Sequence, residues 1–237
     1  MKRVLFVIMV MAHVAAFAHE PIIIPTPQSV TIAEGCYTIS PKTTIFSSNI
    51  ELQPLVDYCV AEIGLTKSSK HGDIELVTDE CLEAEEYRLI VSEEGIAIRG
   101  GDYGGLFNGV MTLLQLLPAN VYNGGLIGSA EVVCCEIIDS PRYGHRGFML
   151  DVARTWISAD RVKRYIDLMA HLKLNKLHFH LTDDEGWRIE IKKYPRLTEV
   201  GSIRKGTCVR KDFANHDGVP YGEGMWYSQD QIREIVE

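Results

Sequence analysis

The chain has 237 residues, of which 46% are hydrophobic and 24% charged, and its formal net charge is −8. This length and hydrophobic content suit one or two folded domains and argue against an intrinsically disordered chain. The acidic balance argues against a nucleic-acid partner, because proteins that bind nucleic acids carry a basic surface.

The first residues have the pattern of a secretory signal peptide. Lys2 and Arg3 precede an apolar stretch at residues 4–18, which ends in the small-x-small sequence AFA. The alternative is a membrane anchor, but a membrane-spanning helix needs about 20 apolar residues. We therefore predict a signal peptide at residues 1–18, cleavage after Ala18, and export to the periplasm or the extracellular space. No membrane span is then expected in the mature chain.

Six cysteines could form disulfides in an exported protein. Their spacing matches no metal site, because the chain has no C-x-x-C pair and no cluster of cysteines with histidines. We expect most of them to be free, buried thiols. They are Cys36, Cys59, Cys81, Cys134, Cys135 and Cys208.

Residues 19–138 have the pattern of a small α+β domain. Apolar and polar residues alternate at 29–32 and 36–39 around a Glu-Gly pair, which predicts a hairpin. Helical spacing of apolar residues predicts one helix that Gly64 ends and a second that Pro118 ends. Further strands are predicted at residues 73–78, 87–91, 96–99 and 131–138, with 87–91 and 96–99 forming a second hairpin.

The pattern changes at residue 139, and residues 139–237 are predicted to start a (β/α)8 barrel. A strand, a helix with Ser158 as its N-cap and a second strand form a β-α-β unit, which is the unit of parallel sheets and of TIM barrels. A long loop rich in glycine and polar residues follows, and then another helix begins. These elements are predicted at residues 147–153, 159–173, 176–182, 195–227 and 228–237.

The second strand of this unit has one apolar and one polar face. Leu177, Phe179 and Leu181 share the face that should pack on helices. His178, His180 and Thr182 share the face that should look into the barrel. Two histidines at this spacing could bind a metal, but no third ligand has suitable spacing. We therefore predict hydrogen-bonded interior histidines, no metal and no cofactor.

Charged residues follow both strands of the unit at their carboxyl ends. Arg154 ends the first strand, and Asp183, Asp184 and Glu185 follow the second. Carboxyl ends of neighbouring parallel strands form one rim, where such folds bind ligands, so we predict that Arg154 contacts Asp183. A guanidinium and a carboxylate at a rim can clamp vicinal hydroxyls of a sugar. A structural ion pair that ties the strands together is the alternative, and the spacing alone leaves both open.

Several stretches resemble the β-N-acetylhexosaminidases of glycoside hydrolase family 20. The sequence RGFMLDVAR at residues 146–154 resembles the first barrel strand of this family, and NKLHFHLTDDEGWRIEI at residues 175–191 resembles its second. Residues 24–28 and 105–109 resemble its small N-terminal domain. The resemblance covers nearly all of the chain after the predicted signal peptide.

The resemblance implies hydrolysis of terminal non-reducing β-linked N-acetylglucosamine or N-acetylgalactosamine from glycans. In this family the acetamido oxygen of the substrate attacks the anomeric carbon, and the configuration is retained. The resemblance assigns Arg154 and Asp183 to the ring hydroxyls of the sugar. We assign supporting roles to Asp151, His180 and Asp184, and we make no prediction of the oligomeric state.

The chain departs from the family pattern at the catalytic motif. In the family, an H-x-G-x-D-E sequence supplies an Asp that holds the acetamide and a Glu that acts as general acid and base. No such sequence occurs in these residues. We therefore expect the pair beyond Glu237, assign no catalytic residue here, and expect the chain alone to be inactive. The alternative is a non-catalytic glycan-binding protein that retains the sugar clamp. Glu185 stands where the family usually has Gln, which bears on specificity.

Overall fold

A computed structural model describes residues 21–123, 125–209 and 212–237. The predicted signal peptide at residues 1–18 lies outside the described residues. Within these ranges, no helix is long enough and apolar enough to cross a membrane.

Residues up to Asp139 form one mixed sheet with two helices packed against it. The elements are β1 (Ser29–Ile39), β2 (Thr44–Phe46), α1 (Gln53–Ile63), β3 (Thr66–Lys67), β4 (Ile74–Thr78), β5 (Tyr87–Ser92), β6 (Gly95–Gly100), α2 (Tyr103–Leu116) and β7 (Ala130–Asp139). The seven strands lie in the order β1-β7-β5-β6-β4-β2-β3. The pairs β1–β7, β7–β5 and β5–β6 are antiparallel, whereas β6–β4, β4–β2 and β2–β3 are parallel. One hydrophobic core joins both helices to the sheet.

Local signals at the helix ends explain why these two helices form where they do. Gly64 ends α1 in the left-handed conformation at φ 85°, and its N–H donates to the carbonyl of Val60 at 3.0 Å. The Asp102 side chain begins α2 by accepting the N–H of Gly105 at 2.8 Å. Both predicted helices, the predicted hairpin of β5 and β6, and the strands β4 and β7 are confirmed.

The predicted hairpin around residues 34–35 is wrong. Residues 29–39 form one strand, and both of its halves pair with β7. The register shifts between Ile32 and Cys36, and Gly35 lies within this irregularity at φ 95°. A glycine with positive φ fits a β-bulge as well as a turn. Here β7 is long enough to pair with both halves, so the glycine marks a bulge.

The expectation of buried thiols holds for three of the five cysteines whose side chains are described. All five are free; Cys59, Cys134 and Cys135 are buried, whereas Cys36 and Cys81 are exposed. Cys36 is exposed because it follows the bulge on β1, the strand at one end of the sheet.

The second part of the chain contains the predicted β-α-β unit. Its strands β8 (Gly147–Asp151) and β9 (Lys176–His180) pair in parallel, and α3 (Ala159–His171) connects them. Ser158 occupies the N-cap position of α3, although its side chain makes no capping hydrogen bond. The apolar face of β9 packs on helices as predicted. A second core cluster combines Leu150, Val152, Ala159, Val162 and Tyr227 with Leu177, Phe179 and Leu181.

The segment after β9 contains short elements where a plain loop was predicted. A tight hairpin forms from β10 (Thr182–Asp183) and β11 (Gly186–Trp187). The predicted loop at residues 195–227 contains α4 (Arg196–Glu199), β12 (Cys208–Val209) and β13 (Asp212–His216). Elements of two to five residues are too short to produce a detectable hydrophobic period. The last helix, α5 (Gln229–Val236), begins with a capping box formed by Ser228 and Gln231, and it confirms the predicted helix.

A buried ion pair joins the two parts of the chain. Lys173 lies in the turn after α3, and its Nζ atom contacts Asp139 Oδ2 at 3.1 Å and the hydroxyl of Tyr87 at 2.8 Å. The side chains of Lys173 and Asp139 are 5% and 13% exposed. Beside them, Arg146 pairs with Glu85 at 2.5 Å. These contacts lie near the beginning of β9, at the opposite end from the rim.

In limited proteolysis of the 237-residue chain, we expect the protease to cut first within residues 141–237, and only later within the seven-stranded sheet. The sheet of β8 and β9 has two strands, and within the described part of the chain no other strand pairs with its edges. Unpaired strand edges and a small core lower local stability. Mass spectrometry of early fragments checks this, and equal resistance of both parts would contradict it.

Candidate active-site rim

Arg154 is fixed at the carboxyl end of β8 by its own neighbours. The carboxylate of Asp151 accepts the main-chain N–H of Arg154 at 3.0 Å and its Nη1 at 2.8 Å. The N–H groups of Val152 and Ala153 donate to the carbonyl of His180 at 3.2 and 3.3 Å. The main chain at the end of β8 is therefore held, and the guanidinium points to the β10–β11 hairpin that follows β9.

The structure brings Arg154 and Asp183 together as predicted. Arg154 Nη2 lies 2.7 Å from Asp183 Oδ2, and Arg154 Nε lies 3.3 Å from Glu185 Oε2. The side chain of Arg154 is 42% exposed and that of Asp183 is 22% exposed, so a ligand from solvent can reach both. The predicted proximity is confirmed, and the role of the pair in sugar binding stays a prediction.

The supporting residues of the prediction lie around the same pair. His180 Nε2 forms a hydrogen bond with Asp183 Oδ2 at 2.7 Å, and the N–H of Asp184 donates to Asp183 Oδ1 at 2.8 Å. His178 is exposed, which contradicts the prediction of an interior histidine. The reason is that no described element covers the polar face of β9 at that position.

The guanidinium of Arg154 pairs with three carboxyl groups at this rim, and the carboxyl group of Asp184 lies beside those of Asp183 and Glu185. Hydrogen bonds from Asp184 and His180 hold the pKa of Asp183 well below its ordinary range. The neighbouring carboxyl groups of Glu185 and Asp183 raise the pKa of Asp184 to about 6. Burial raises the pKa of Asp151, but the hydrogen bonds from Arg154 outweigh it and leave this pKa below its ordinary value. Asp184 therefore carries the proton of the cluster in weak acid, while Asp183 stays ionised.

The three consecutive acids have the spacing of a cation site, but the guanidinium of Arg154 already neutralises part of their negative charge. Oxygen atoms of Asp183, Asp184 and Glu185 lie within 4.8 Å of one another. Hard cations prefer such oxygen ligands. Arg154 already contacts Asp183 and Glu185, so its guanidinium supplies the positive charge there. The predicted lack of a metal stays a prediction.

Comparison with known proteins places both parts of the chain in one family. The profile described as glycosyl hydrolase family 20, catalytic domain, matches residues 143–237, and the profile for domain 2 of the same family matches residues 20–140. The chain belongs to glycoside hydrolase family 20. The family 20 match gives it a domain 2 followed by the start of a TIM-barrel catalytic domain.

Relatives in family 20 are similar in sequence and in structure. The chain is 40% identical to a β-hexosaminidase of Porphyromonas gingivalis over 228 residues, which are 91% of this chain and 28% of that protein. It resembles a Streptomyces plicatus β-hexosaminidase mutant in complex with its product N-acetylglucosamine, with a TM-score of 0.76, 36% identity, and coverage of 92% of this chain and 44% of that one. A Vibrio harveyi exo-β-N-acetylglucosaminidase has a TM-score of 0.75 at 36% identity, covering 90% and 33% of the two chains.

Two arginines that hydrogen-bond to the main chain of the rim were not predicted from the sequence. Arg188 follows β11 and is fully buried, and its guanidinium donates to the carbonyls of Ala153 and Ser202. Arg204, in the segment predicted as a loop, donates to carbonyls beside the rim, including that of Glu185 at 3.1 Å. The sequence offers no specific signal for either arginine, because their partners are main-chain carbonyls, which every residue has.

The Asp184→Asn variant is expected to be more stable than the wild type at pH 7, with the difference shrinking towards pH 4. The raised pKa means that the folded state keeps the proton of Asp184 up to about pH 6, whereas an unfolded Asp loses it at about pH 3.9. Stability therefore falls as pH rises through this window, and an Asn at this position cannot ionise. Melting temperatures of Asp184→Asn and the wild type, measured from pH 4 to pH 7, test this prediction, with Glu94→Gln in the β5–β6 turn as a control. A difference that is independent of pH would contradict the assignment.

Proposed function

We propose that the protein to which this chain belongs removes terminal non-reducing β-linked N-acetylhexosamine residues from glycans, by a substrate-assisted mechanism that retains configuration. Membership of family 20 and the similarity to β-hexosaminidases support this reaction. The observation that carries it is the position of Arg154, held by Asp151 and paired with Asp183 at the carboxyl ends of two neighbouring parallel strands.

The proposed clamp has donors and acceptors left for a sugar. A guanidinium has five N–H donors. Its contacts with Asp151, Asp183 and Glu185 engage Nη1, Nη2 and Nε, so one N–H on each terminal nitrogen can donate to a hydroxyl oxygen. The ionised carboxylate of Asp183 can accept a hydrogen bond from a second hydroxyl of the sugar. Two neighbouring ring hydroxyls, one accepting and one donating, match this set.

In this proposal the described residues bind and orient the sugar, and they do not perform the chemical step. The acetamido oxygen attacks the anomeric carbon while a general acid protonates the leaving oxygen. A clamp on the hydroxyls limits rotation of the ring and so favours the geometry of attack. We propose that the acid and the residue that holds the acetamide lie further along the protein, and that these 237 residues alone are inactive.

We propose that residues 19–138 form the N-terminal domain, that residues 139–237 are the opening, incomplete part of the barrel, and that residues 1–18 direct export. Relatives solved in complex with N-acetylglucosamine support this sugar as the substrate unit.

The test uses the longest open reading frame that contains this chain. The purified protein should hydrolyse an aryl N-acetyl-β-glucosaminide, and should not hydrolyse the matching aryl β-glucoside, because the latter has no acetamido group to attack. Proton NMR should show the β-anomer as the first product. Equal hydrolysis of both substrates, or α-anomer as first product, would contradict the mechanism. Binding of the sugar without any hydrolysis would favour the glycan-binding alternative.

A further inference from the structure

The side chain of Arg204 contacts the main chain at the ends of both barrel strands. Its Nη1 donates to the carbonyls of Ala153 at 3.4 Å and of Glu185 at 3.1 Å. Its Nη2 donates to the carbonyl of Arg154. One guanidinium therefore joins the turn after β8 to the β10–β11 hairpin, which are the two segments that carry the proposed clamp.

Arg204 is itself held in place by the segment around it. Its guanidinium carbon lies 4.1 Å from the ring centroid of Tyr221, which is 8% exposed. The main chains of Arg204 and Tyr221 exchange two hydrogen bonds, at 3.1 and 2.8 Å. Thr207 Oγ1 accepts from Arg204 Nη2 at 2.8 Å and donates to the carbonyl of Arg154 at 3.3 Å. The donor thus reaches the rim from a fixed position.

The fully buried Arg188 also binds the main chain of the turn after β8. Its Nη2 donates to the carbonyl of Ala153 at 3.1 Å, and its Nη1 donates to the carbonyls of Ser202 and Met225 at 2.6 and 3.0 Å. The carbonyl of Ala153 therefore accepts from two guanidinium groups. Hydrogen bonds from charged donors are about twice as strong as neutral ones. The turn that carries Arg154 is consequently fixed through its main chain.

We propose that Arg204 is a positioning residue for the sugar clamp, which holds the main chain of Arg154 and Glu185 so that the Arg154 guanidinium stays between Asp151 and Asp183. This inference rests on the proposed function. Arg204 contacts the main-chain carbonyls of the segments that carry the clamp, so we place its effect on the sugar through Arg154. A lysine could not replace it, because one ammonium group lacks the planar fork that reaches both segments.

The first test is a double-mutant cycle in the longest open reading frame that contains this chain. Arg204→Gln should lower kcat/KM for an aryl N-acetyl-β-glucosaminide about tenfold, but by less than about twofold in an Arg154→Lys background. A residue that acts only on overall stability would give the same factor in both backgrounds. Equal factors, or no loss from Arg204→Gln alone, would overturn the inference. If Arg154→Lys itself kept a normal kcat/KM, the clamp of the proposed function would fail, and this inference with it.

The second test does not depend on turnover. Hydrogen–deuterium exchange of the same protein should become faster in Arg204→Gln for peptides that cover residues 150–156 and 182–188, and should stay unchanged in the seven-stranded sheet. Lys205→Gln is the matched control, because Lys205 is the exposed neighbour. Arg204→Lys serves if the glutamine variant fails to fold, and it should show the same local change. Unchanged exchange at both peptides in the folded variant would overturn the proposal.

Discussion

The 237-residue chain, expressed and purified alone, is expected to hydrolyse an aryl N-acetyl-β-glucosaminide no faster than buffer does. The proposed clamp of Arg154 and Asp183 supplies binding only. General acid–base assistance contributes roughly 10²–10⁴ in rate, and the motif that supplies it in the family does not occur in these residues. A continuous absorbance assay at high protein concentration measures this.

The control for that assay is the longest open reading frame, assayed under the same conditions and at the same molar concentration. Turnover that follows the 237-residue chain through two chromatographic steps would show that its own residues perform the chemistry. Asp184 would then be the candidate acid, because the neighbouring carboxyl groups of Glu185 and Asp183 raise its pKa to about 6.

Asp139→Ala is expected to lower the free energy of unfolding by about 3–5 kcal/mol, because it leaves the buried ammonium group of Lys173 without its counter-charge. Lys173 is 5% exposed, and burial already holds its pKa below the ordinary value, although Asp139 opposes that effect. The change should be measured by urea denaturation of the chain, monitored by tryptophan fluorescence and by circular dichroism.

The matched control is the exposed ion pair of Lys67 and Asp57, whose side chains are 45% and 61% exposed. Asp57→Ala should cost no more than about 1 kcal/mol, because surface pairs contribute little. Replacing both buried partners, with Asp139→Asn and Lys173→Met, should cost less than Asp139→Ala alone. A similarly small loss of stability in Asp139→Ala and Asp57→Ala would show that the ion pair of Lys173 and Asp139 does not stabilise the contact between the two parts of the chain.

The fold could be predicted from sequence where a local signal determines the structure. Gly64 ends α1 because it adopts the left-handed conformation that commonly follows a helix. The turn between β5 and β6 is so short that the two strands can pair only in antiparallel fashion. The Glu-Gly pair at residues 34–35 has the same local signal but a different outcome. Whether a glycine makes a turn or a bulge depends on the length of the partner strand, which lies about a hundred residues away along the chain.

The rim could be predicted because strand direction alone places Arg154 and Asp183 at one edge. Arg204 could not, because its partners are main-chain carbonyls, which every residue has. Its position also depends on the contacts of Gly201 with β11 and of Arg204 with Tyr221, and no periodic pattern specifies them. The buried Lys173 was missed for a similar reason, since it meets Asp139 only after two separate segments pack together.

Arg154→Lys in the longest open reading frame tests the sugar clamp most directly. The variant keeps the charge but loses the planar fork that bridges Asp151 and Asp183. In the proposed clamp it also loses one hydrogen bond from this charged group to a sugar hydroxyl, which is worth about 1.5–3 kcal/mol of binding. Arg164→Lys, on the exposed side of α3, is the matched control. We predict that kcat/KM falls at least about tenfold in Arg154→Lys alone, while the melting temperature changes little, because a partly solvated pair contributes only about 0–1 kcal/mol. A normal kcat/KM with a clearly lower melting temperature would contradict the clamp and show that Arg154 and Asp183 form a structural ion pair.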